Sequence, residues 1–149
     1  MNRDKKFMDL AFEEAKKALE KKEVPIGAVV IKDDKVIGRG YNLKEEIQDP
    51  TAHAEMIAIR QAAEYTGSWR LENCEIYVTL EPCPMCVGAM LQARIDRLVF
   101  GAYDKRGGAV GSLYDLSDDS RFNHTIKVKS GFMKEKSSKM LKKFFKSLR

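Results

Sequence analysis

The chain has 149 residues, 44% of them hydrophobic, and a formal net charge of +5. This length is enough for one domain with a buried core, but no apolar run approaches the ~20 residues of a membrane-spanning helix, and three cysteines are an odd number for a disulfide framework. The first nine residues contain no apolar signal region. We therefore expect one domain over residues 1–149, a cytoplasmic location, reduced thiols and no membrane partner.

Hydrophobic periodicity predicts a helix and then a hairpin at the start of the chain. Apolar residues recur at helical spacing from Phe7 to Leu19. Two β-rich runs, 26–31 and 36–41, flank four polar residues of a composition suited to a hairpin. A second helix is expected to begin with Thr51 as its cap and to stop at Gly67.

The second half of the chain alternates strands and helices. Strands are predicted over residues 75–79 and 98–101, with a helix between them that begins near Pro84. A last strand is expected at 125–128, before an amphipathic terminal helix. This alternation favours parallel pairing and helices on both faces of the sheet, so the fold class is α/β.

Positive charge is concentrated at the carboxyl-terminal end of the chain. Residues 127–149 contain nine Lys or Arg and one acid, a net charge of +8, so the rest of the chain carries −3. Such asymmetry favours a polyanionic partner. The same lysines can also form the solvated face of the terminal helix, and charge alone leaves both interpretations open.

Two short motifs thirty residues apart carry candidate metal ligands. His53, Cys83 and Cys86 offer one imidazole and two thiolates, and three protein ligands with an open fourth position are typical of catalytic zinc. Cys83 and Cys86 are three residues apart at a helix start, which places both sulfurs on one side of its first turn. Glu55 lies two residues after His53, ~200° around a regular helix, so the two converge only over the helix end. Glu55 is then the predicted proton carrier beside the metal.

Other interpretations of these cysteines exist. A lone Cys-x-x-Cys also occurs in thioredoxin-like redox proteins, although the His-Ala-Glu motif disfavours that class here. A closed structural site with Cys74 as a fourth ligand is a second alternative, but Cys74 opens an apolar strand and is expected to be buried. For His124, a surface or hydrogen-bonding role and a role as a ligand both remain open, and Trp69 is expected in the core.

The motifs His53-Ala54-Glu55 and Pro82-Cys83-x-x-Cys86 match the zinc deaminase pattern. Segments 24–28, 77–86 and 100–104 also resemble the bacterial tRNA-specific adenosine deaminases, and the similarity covers nearly the entire chain. The resemblance implies a cytidine deaminase-like three-layer α/β/α sandwich with a mixed five-stranded sheet. It also implies a homodimer with one Zn²⁺ per subunit that converts the wobble adenosine of a tRNA anticodon, typically in arginine tRNA, to inosine and ammonia.

By the same resemblance, Asn42 would hydrogen-bond the flipped purine, Ile26 would wall the base pocket, the Ala54 backbone would support the base, and Asp104 would contact the neighbouring nucleotide. The tail has basic and aromatic residues suited to an anticodon stem-loop, although its aromatics can equally dock the helix. The predicted RNA contacts are Lys105, Arg106, Lys142, Lys143, Phe144, Phe145 and Arg149.

Two rival functions remain open at this point. A deaminase of free bases or nucleosides, such as guanine or cytosine, would use the same zinc motifs, but it would not need a basic tail. A noncatalytic RNA-binding zinc module would not need Glu55 beside the metal. The concentrated positive charge and Glu55 together favour the RNA-acting enzyme.

Overall fold

The computed structural model describes residues 2–148 of the chain. These residues form helices and strands in the order expected of an α/β protein. The elements are α1 (Asn2–Glu20), β1 (Gly27–Lys32), β2 (Lys35–Tyr41), α2 (Ala54–Thr66), β3 (Cys74–Leu80), α3 (Pro84–Ala93), β4 (Arg97–Ala102), β5 (Lys127–Lys129) and α4 (Lys134–Ser147).

The five strands form one mixed sheet in the order β2-β1-β3-β4-β5. Strand β1 is antiparallel to β2 and β3, whereas β3, β4 and β5 are parallel. The hairpin from β1 to β2 turns at Asp33 and Asp34, both of which have positive φ, as a two-residue hairpin turn requires. Helix α3 provides the crossover between the parallel strands β3 and β4.

Helices cover both faces of the sheet. On one face, α1 packs Phe7 and Phe12 against β-strand residues such as Tyr77, and Met140 of α4 packs against the same cluster. On the other face, α2 and α3 enclose the larger core. The predicted three-layer α/β/α arrangement with a mixed five-stranded sheet is therefore confirmed.

Two glycines in β2 let helix α2 lie directly on the sheet. A Cβ atom at Gly38 would lie 2.2 Å from the Ala58 carbonyl oxygen, and one at Gly40 would lie 2.6 Å from that of Ala54. Any side chain at these positions would push the helix away. The close contact fixes the start of α2 over the end of β2.

A buried carboxylate joins α1 to strands β3, β4 and β5. Asp4 is 5% exposed, and its carboxylate accepts hydrogen bonds from Arg97 at 2.9 and 3.0 Å, from the Lys129 ammonium at 2.9 Å and from the Tyr77 hydroxyl at 2.5 Å. The hydrogen bond from Arg97 holds the pKa of Asp4 well below its usual range. This cluster links α1, β3, β4 and β5.

Three local predictions are wrong. Helix α2 begins one residue after its cap, His53, because Thr51 instead donates from its backbone N and its hydroxyl to Asp49 at 2.8 and 2.7 Å. Strand β5 begins two residues later than expected. Trp69 is 59% exposed and lies under the Arg70 guanidinium rather than in the core.

Other local predictions are confirmed. Gly67 ends α2 with a φ of 71°, and its N–H donates to the Ala63 carbonyl at 2.9 Å. Of the two roles left open for His124, the hydrogen bond is the one observed, with Nε2 2.8 Å from the Ile95 carbonyl oxygen, and His124 lies outside the candidate ligand group. No helix in the described part of the chain is long and apolar enough to cross a membrane.

Candidate active site

A cavity opens at one end of the sheet, where several chain segments converge. Strands β3 and β4 end there, and so does β2, while the antiparallel strand β1 starts there. The cavity encloses about 140 Å³, roughly ten times the space that one buried water needs. Its lining residues are Val24, Ile26, Asn42, Lys44, His53, Ala54, Glu55, Leu80, Glu81, Cys83 and Asp104.

The three predicted metal ligands meet at this cavity. His53 is the N-cap of α2 and Cys83 is the N-cap of α3, and neither side chain makes a capping hydrogen bond. The Nδ1 atom of His53 lies 3.6 Å from Sγ of Cys83 and 3.5 Å from Sγ of Cys86. The two sulfur atoms are 3.8 Å apart. Two helix starts therefore face one point, as the two-residue spacing of His53 and Glu55 requires.

These separations fit a tetrahedral zinc site. Ligand bonds of ~2.3 Å to sulfur and ~2.0 Å to nitrogen place two sulfurs ~3.8 Å apart and a sulfur and a nitrogen ~3.5 Å apart. Among residues 2–148, His53, Cys83 and Cys86 are the one group of three or more His, Cys, Asp or Glu side chains close enough to hold a metal ion. Three protein ligands leave a fourth position for water or substrate.

The position of His53 distinguishes this group from the alternative interpretations of the cysteines. The sulfurs of Cys83 and Cys86 lie 3.8 Å apart and are not joined in a disulfide, and an imidazole within 3.6 Å of both sulfurs completes a ligand group that a redox pair does not need. Cys74 is fully buried and its thiol donates to the Glu72 carbonyl at 3.7 Å, outside the ligand group. The expectation that Cys74 is a small buried residue is confirmed.

The local environment shifts the proton affinities of the site residues. A hydrogen bond with the Cys86 thiol, together with His53, lowers the pKa of Cys83 to about 4. The hydrogen bond with Cys83 raises the pKa of His53. Glu55 is 4% exposed, and burial raises the pKa of its carboxyl group to about 7. A carboxyl group with a pKa near neutrality can both take up and release a proton.

The four residues assigned to the substrate by resemblance all line the cavity. Asn42 is 6% exposed, and its side chain donates to the Val24 carbonyl at 3.4 Å and accepts from the Lys44 N–H at 3.2 Å. These bonds fix the orientation of the amide at the cavity wall. Ile26 and Asp104 are partly exposed, and Ala54 is buried at the first position of α2.

A groove continues from the cavity towards α4. It shares Ile26 and Asp104 with the cavity and adds Lys105, Arg106 and Phe145, whose ring is 48% exposed. Lys142 and Lys143 are exposed on α4.

Phe144 does not fit its predicted role in RNA contact, because its side chain is 6% exposed and packs inside the protein. The ring docks the helix instead, with the Phe145 ring at 5.3 Å. Arg149 lies outside the described residues.

One residue of the site escaped the sequence reasoning. Glu81 lines the cavity, is 2% exposed, and accepts backbone hydrogen bonds from Asp104, Val110 and Ser112. Its position directly before Pro82 and Cys83 was the signal available in the sequence. The loop amides that it binds are not evident from sequence spacing.

The family model for MafB19-like deaminases matches residues 1–149. The tRNA-specific adenosine deaminase of Bacillus subtilis is 49% identical over 149 residues, which cover 100% of this chain and 92% of that protein. The chain belongs to the family of tRNA-specific adenosine deaminases. The tRNA-specific adenosine deaminase of Aquifex aeolicus is 45% identical, over 96% of this chain and 94% of that protein.

One solved structure agrees with this family membership, and a second shares the fold. A tRNA:A34 deaminase, studied for A-to-I editing at the wobble position of transfer RNA, superimposes with a TM-score of 0.88 at 46% identity, covering 92% of this chain and 99% of that chain. A guanine deaminase from Nitrosomonas europaea has a TM-score of 0.77 at 22% identity, covering 93% of this chain and 82% of that chain. The second match shows the fold alone, which is cytidine deaminase-like.

Proposed function

We propose that this protein hydrolyses the wobble adenosine of a tRNA anticodon, in arginine tRNA, to inosine with release of ammonia. The observation that carries the proposal is one cavity in which buried Glu55 lies beside His53 and Cys83, and which opens into a groove with basic and aromatic residues. The relatives that match over 96–100% of the chain are named tRNA-specific adenosine deaminases, and a solved structure at 46% identity is that of a tRNA:A34 deaminase.

His53, Cys83 and Cys86 would hold one zinc ion per subunit. Zinc, when bound, supplies a nucleophilic water near neutral pH. In this reaction the C6–O bond forms, the C6–N bond breaks, and the amino group leaves as ammonia. Glu55 takes one proton from the attacking water and delivers it to a purine ring nitrogen. It then takes the second proton from the new hydroxyl group on C6 and passes it to the departing amine, which leaves as ammonia.

The other cavity residues orient the base. Asn42, fixed by its bonds to Val24 and Lys44, presents its amide to the purine edge. Ile26 provides an apolar wall, and the Ala54 backbone supports the base at the start of α2. An adenosine must leave its stack to enter such a cavity, and the single-stranded anticodon loop makes this step less costly than in a duplex.

The groove would hold the RNA around the extruded nucleotide. Asp104 lines both cavity and groove and would contact the neighbouring nucleotide. Lys105, Arg106, Lys142, Lys143 and, by sequence, Arg149 supply positive charge for phosphates. The exposed Phe145 ring offers a surface for base stacking.

We also propose a domain organisation, an oligomeric state and a location for the enzyme. Residues 1–149 would act as one deaminase domain, the enzyme would be a homodimer as the family resemblance implies, and its tRNA substrate fits a cytoplasmic location.

The test is a substrate panel with zinc-loaded protein. Arginine tRNA, free adenosine, guanine, cytosine and cytidine are incubated separately, ammonia is measured, and inosine is located by sequencing. Inosine at the wobble position, with equivalent ammonia, is the expected result. Ammonia from a free base, with the tRNA unchanged, would show that the substrate is a small molecule and not RNA. No ammonia from any substrate would support a noncatalytic module.

A further inference from the structure

Glu81 is a buried carboxylate whose partners all come from one loop. The side chain is 2% exposed, and its two oxygens accept from three backbone N–H groups and one hydroxyl. Burying a carboxylate is costly unless hydrogen bonds replace its water shell, and bonds to an ionised acceptor are the stronger kind. Glu81 therefore binds this loop tightly.

The loop wraps around the Glu81 side chain. Oε1 accepts from the Asp104 N–H at 3.0 Å and from the Ser112 hydroxyl, while Oε2 accepts from the N–H groups of Val110 and Ser112 at 2.9 and 3.0 Å. Gly108 lies against the carboxylate, since a Cβ atom there would be 2.3 Å from the carboxyl carbon. The loop closes over Glu81 only because residue 108 has no side chain.

This loop lines the groove that is proposed to hold RNA, and it contains none of the proposed metal ligands. Its first residues, Asp104, Lys105 and Arg106, line the groove, and Asp104 also lines the cavity. His53 and Cys83 instead cap helices α2 and α3. Glu81 connects the loop to the segment that carries Cys83. It directly follows β3, and it accepts a hydrogen bond from the backbone N–H of Asp104, the first residue of the loop.

We propose that Glu81 is a positioning residue that sets where residues 104–112 lie relative to the cavity, and so controls RNA binding rather than the chemical step. The inference rests on the proposed function. Loss of the Glu81 contacts lets Asp104 and its basic neighbours move away from the nucleotide beside the reacting adenosine. Substrate binding then weakens while the metal ligands and Glu55 stay in place.

The test compares Glu81→Gln with Gly108→Ala. A glutamine keeps the shape but places an NH₂ group where N–H donors point, and an alanine at 108 forces the loop from the carboxylate without altering Glu81. Ser112→Ala, which removes only the hydroxyl bond, provides a milder third variant. Glu14→Gln is the matched control, because Glu14 is equally buried at 2% exposure but pairs with Lys17 and Arg39 on α1 and β2.

KM and kcat are measured on an arginine anticodon stem-loop, with zinc content and backbone hydrogen exchange of residues 104–112. Both Glu81→Gln and Gly108→Ala are expected to raise KM about tenfold, the effect of one lost hydrogen bond to a charged group, with kcat within about threefold of wild type. Zinc content stays at the wild-type level and exchange in the loop becomes faster. Glu14→Gln changes none of these values.

Unchanged KM in both variants would overturn the inference, as would unchanged hydrogen exchange. Loss of zinc together with kcat would also overturn it, because Glu81 would then support Cys83 rather than the loop. Failure of the proposed function gives a different result: wild-type protein forms no inosine in the stem-loop, whereas the exchange comparison still reports whether Glu81 holds the loop.

Discussion

His53 and Cys83 cap two different helices, and their Nδ1 and Sγ atoms lie 3.6 Å apart. Neither side chain is used in a capping hydrogen bond, so both remain available to a ligand between the helix ends. The positive ends of the two helix dipoles also favour thiolate over thiol there. The fold thus brings residues thirty positions apart into one group that could hold a metal ion.

The metal assignment predicts opposite results for two cysteine variants. Cys83→Ala removes a ligand and is expected to reduce zinc from one ion per chain to nearly none, with loss of activity. Cys74→Ala, which alters a buried thiol outside the ligand group, keeps zinc fully bound. Elemental analysis of the purified variants measures this directly. Full zinc in Cys83→Ala would refute the assignment.

Substitutions of the adjacent residues Phe144 and Phe145 should have different effects, the first on stability and the second on RNA binding. Phe144 is 6% exposed, so Phe144→Ala should lower the free energy of unfolding by about 3 kcal/mol. Phe145 is 48% exposed, and Phe145→Ala should raise KM for tRNA about tenfold through lost stacking, with little loss of stability. Urea unfolding and steady-state kinetics on both variants provide the comparison. Equal effects of the two substitutions on KM would contradict it.

Phosphate contact by α4 predicts a change in salt dependence. Replacing Lys142 and Lys143 by Ala should weaken tRNA binding and reduce the slope of log K against log salt by about 1.4 to 1.8. The control replaces Lys6 and Lys35, which lie near the hairpin end of the sheet, away from the groove. Binding is measured by filter assay at several salt concentrations. If both pairs reduce the slope equally, the effect is general charge rather than contact.

The hydrogen bonds and ion pairs of Asp4 should make a contribution to stability that depends on pH. Asp4→Asn leaves the partly exposed Arg97 and Lys129 without their carboxylate and should lower the free energy of unfolding by about 2 kcal/mol at pH 7, the scale of hydrogen bonds to a charged group. Because the folded pKa of Asp4 is depressed, its contribution is full above the unfolded value of about 3.9 and is lost as pH falls through the folded pKa.

Urea unfolding at pH 7, 5 and 3 tests the direction of this pH dependence. The difference between wild type and Asp4→Asn should be constant from pH 7 to 5 and smaller at pH 3. Asp34→Asn is the control, because its ion pair with Arg3 is exposed and should contribute less than about 1 kcal/mol. A difference that grows towards low pH would show that another group is responsible.

Sequence reasoning succeeded where local spacing determines geometry. The motif Cys83-x-x-Cys86 after a strand, and His53 before a helix, were sufficient to predict that these three side chains meet at two helix starts. It failed for Trp69 and Phe144, because burial of an aromatic ring depends on which face a distant element covers. Glu81 was missed for a related reason, since its partners are loop amides more than twenty residues away.

The most direct test of the central claim compares wild type with Glu55→Gln on arginine tRNA. Glu55 is proposed to carry the protons but not to bind the metal, so the variant should retain one zinc per chain and form inosine at least a hundredfold more slowly. Inosine at the wobble position is measured by sequencing over a time course, alongside zinc content. Wild-type rates in Glu55→Gln, or loss of zinc from it, would contradict the account.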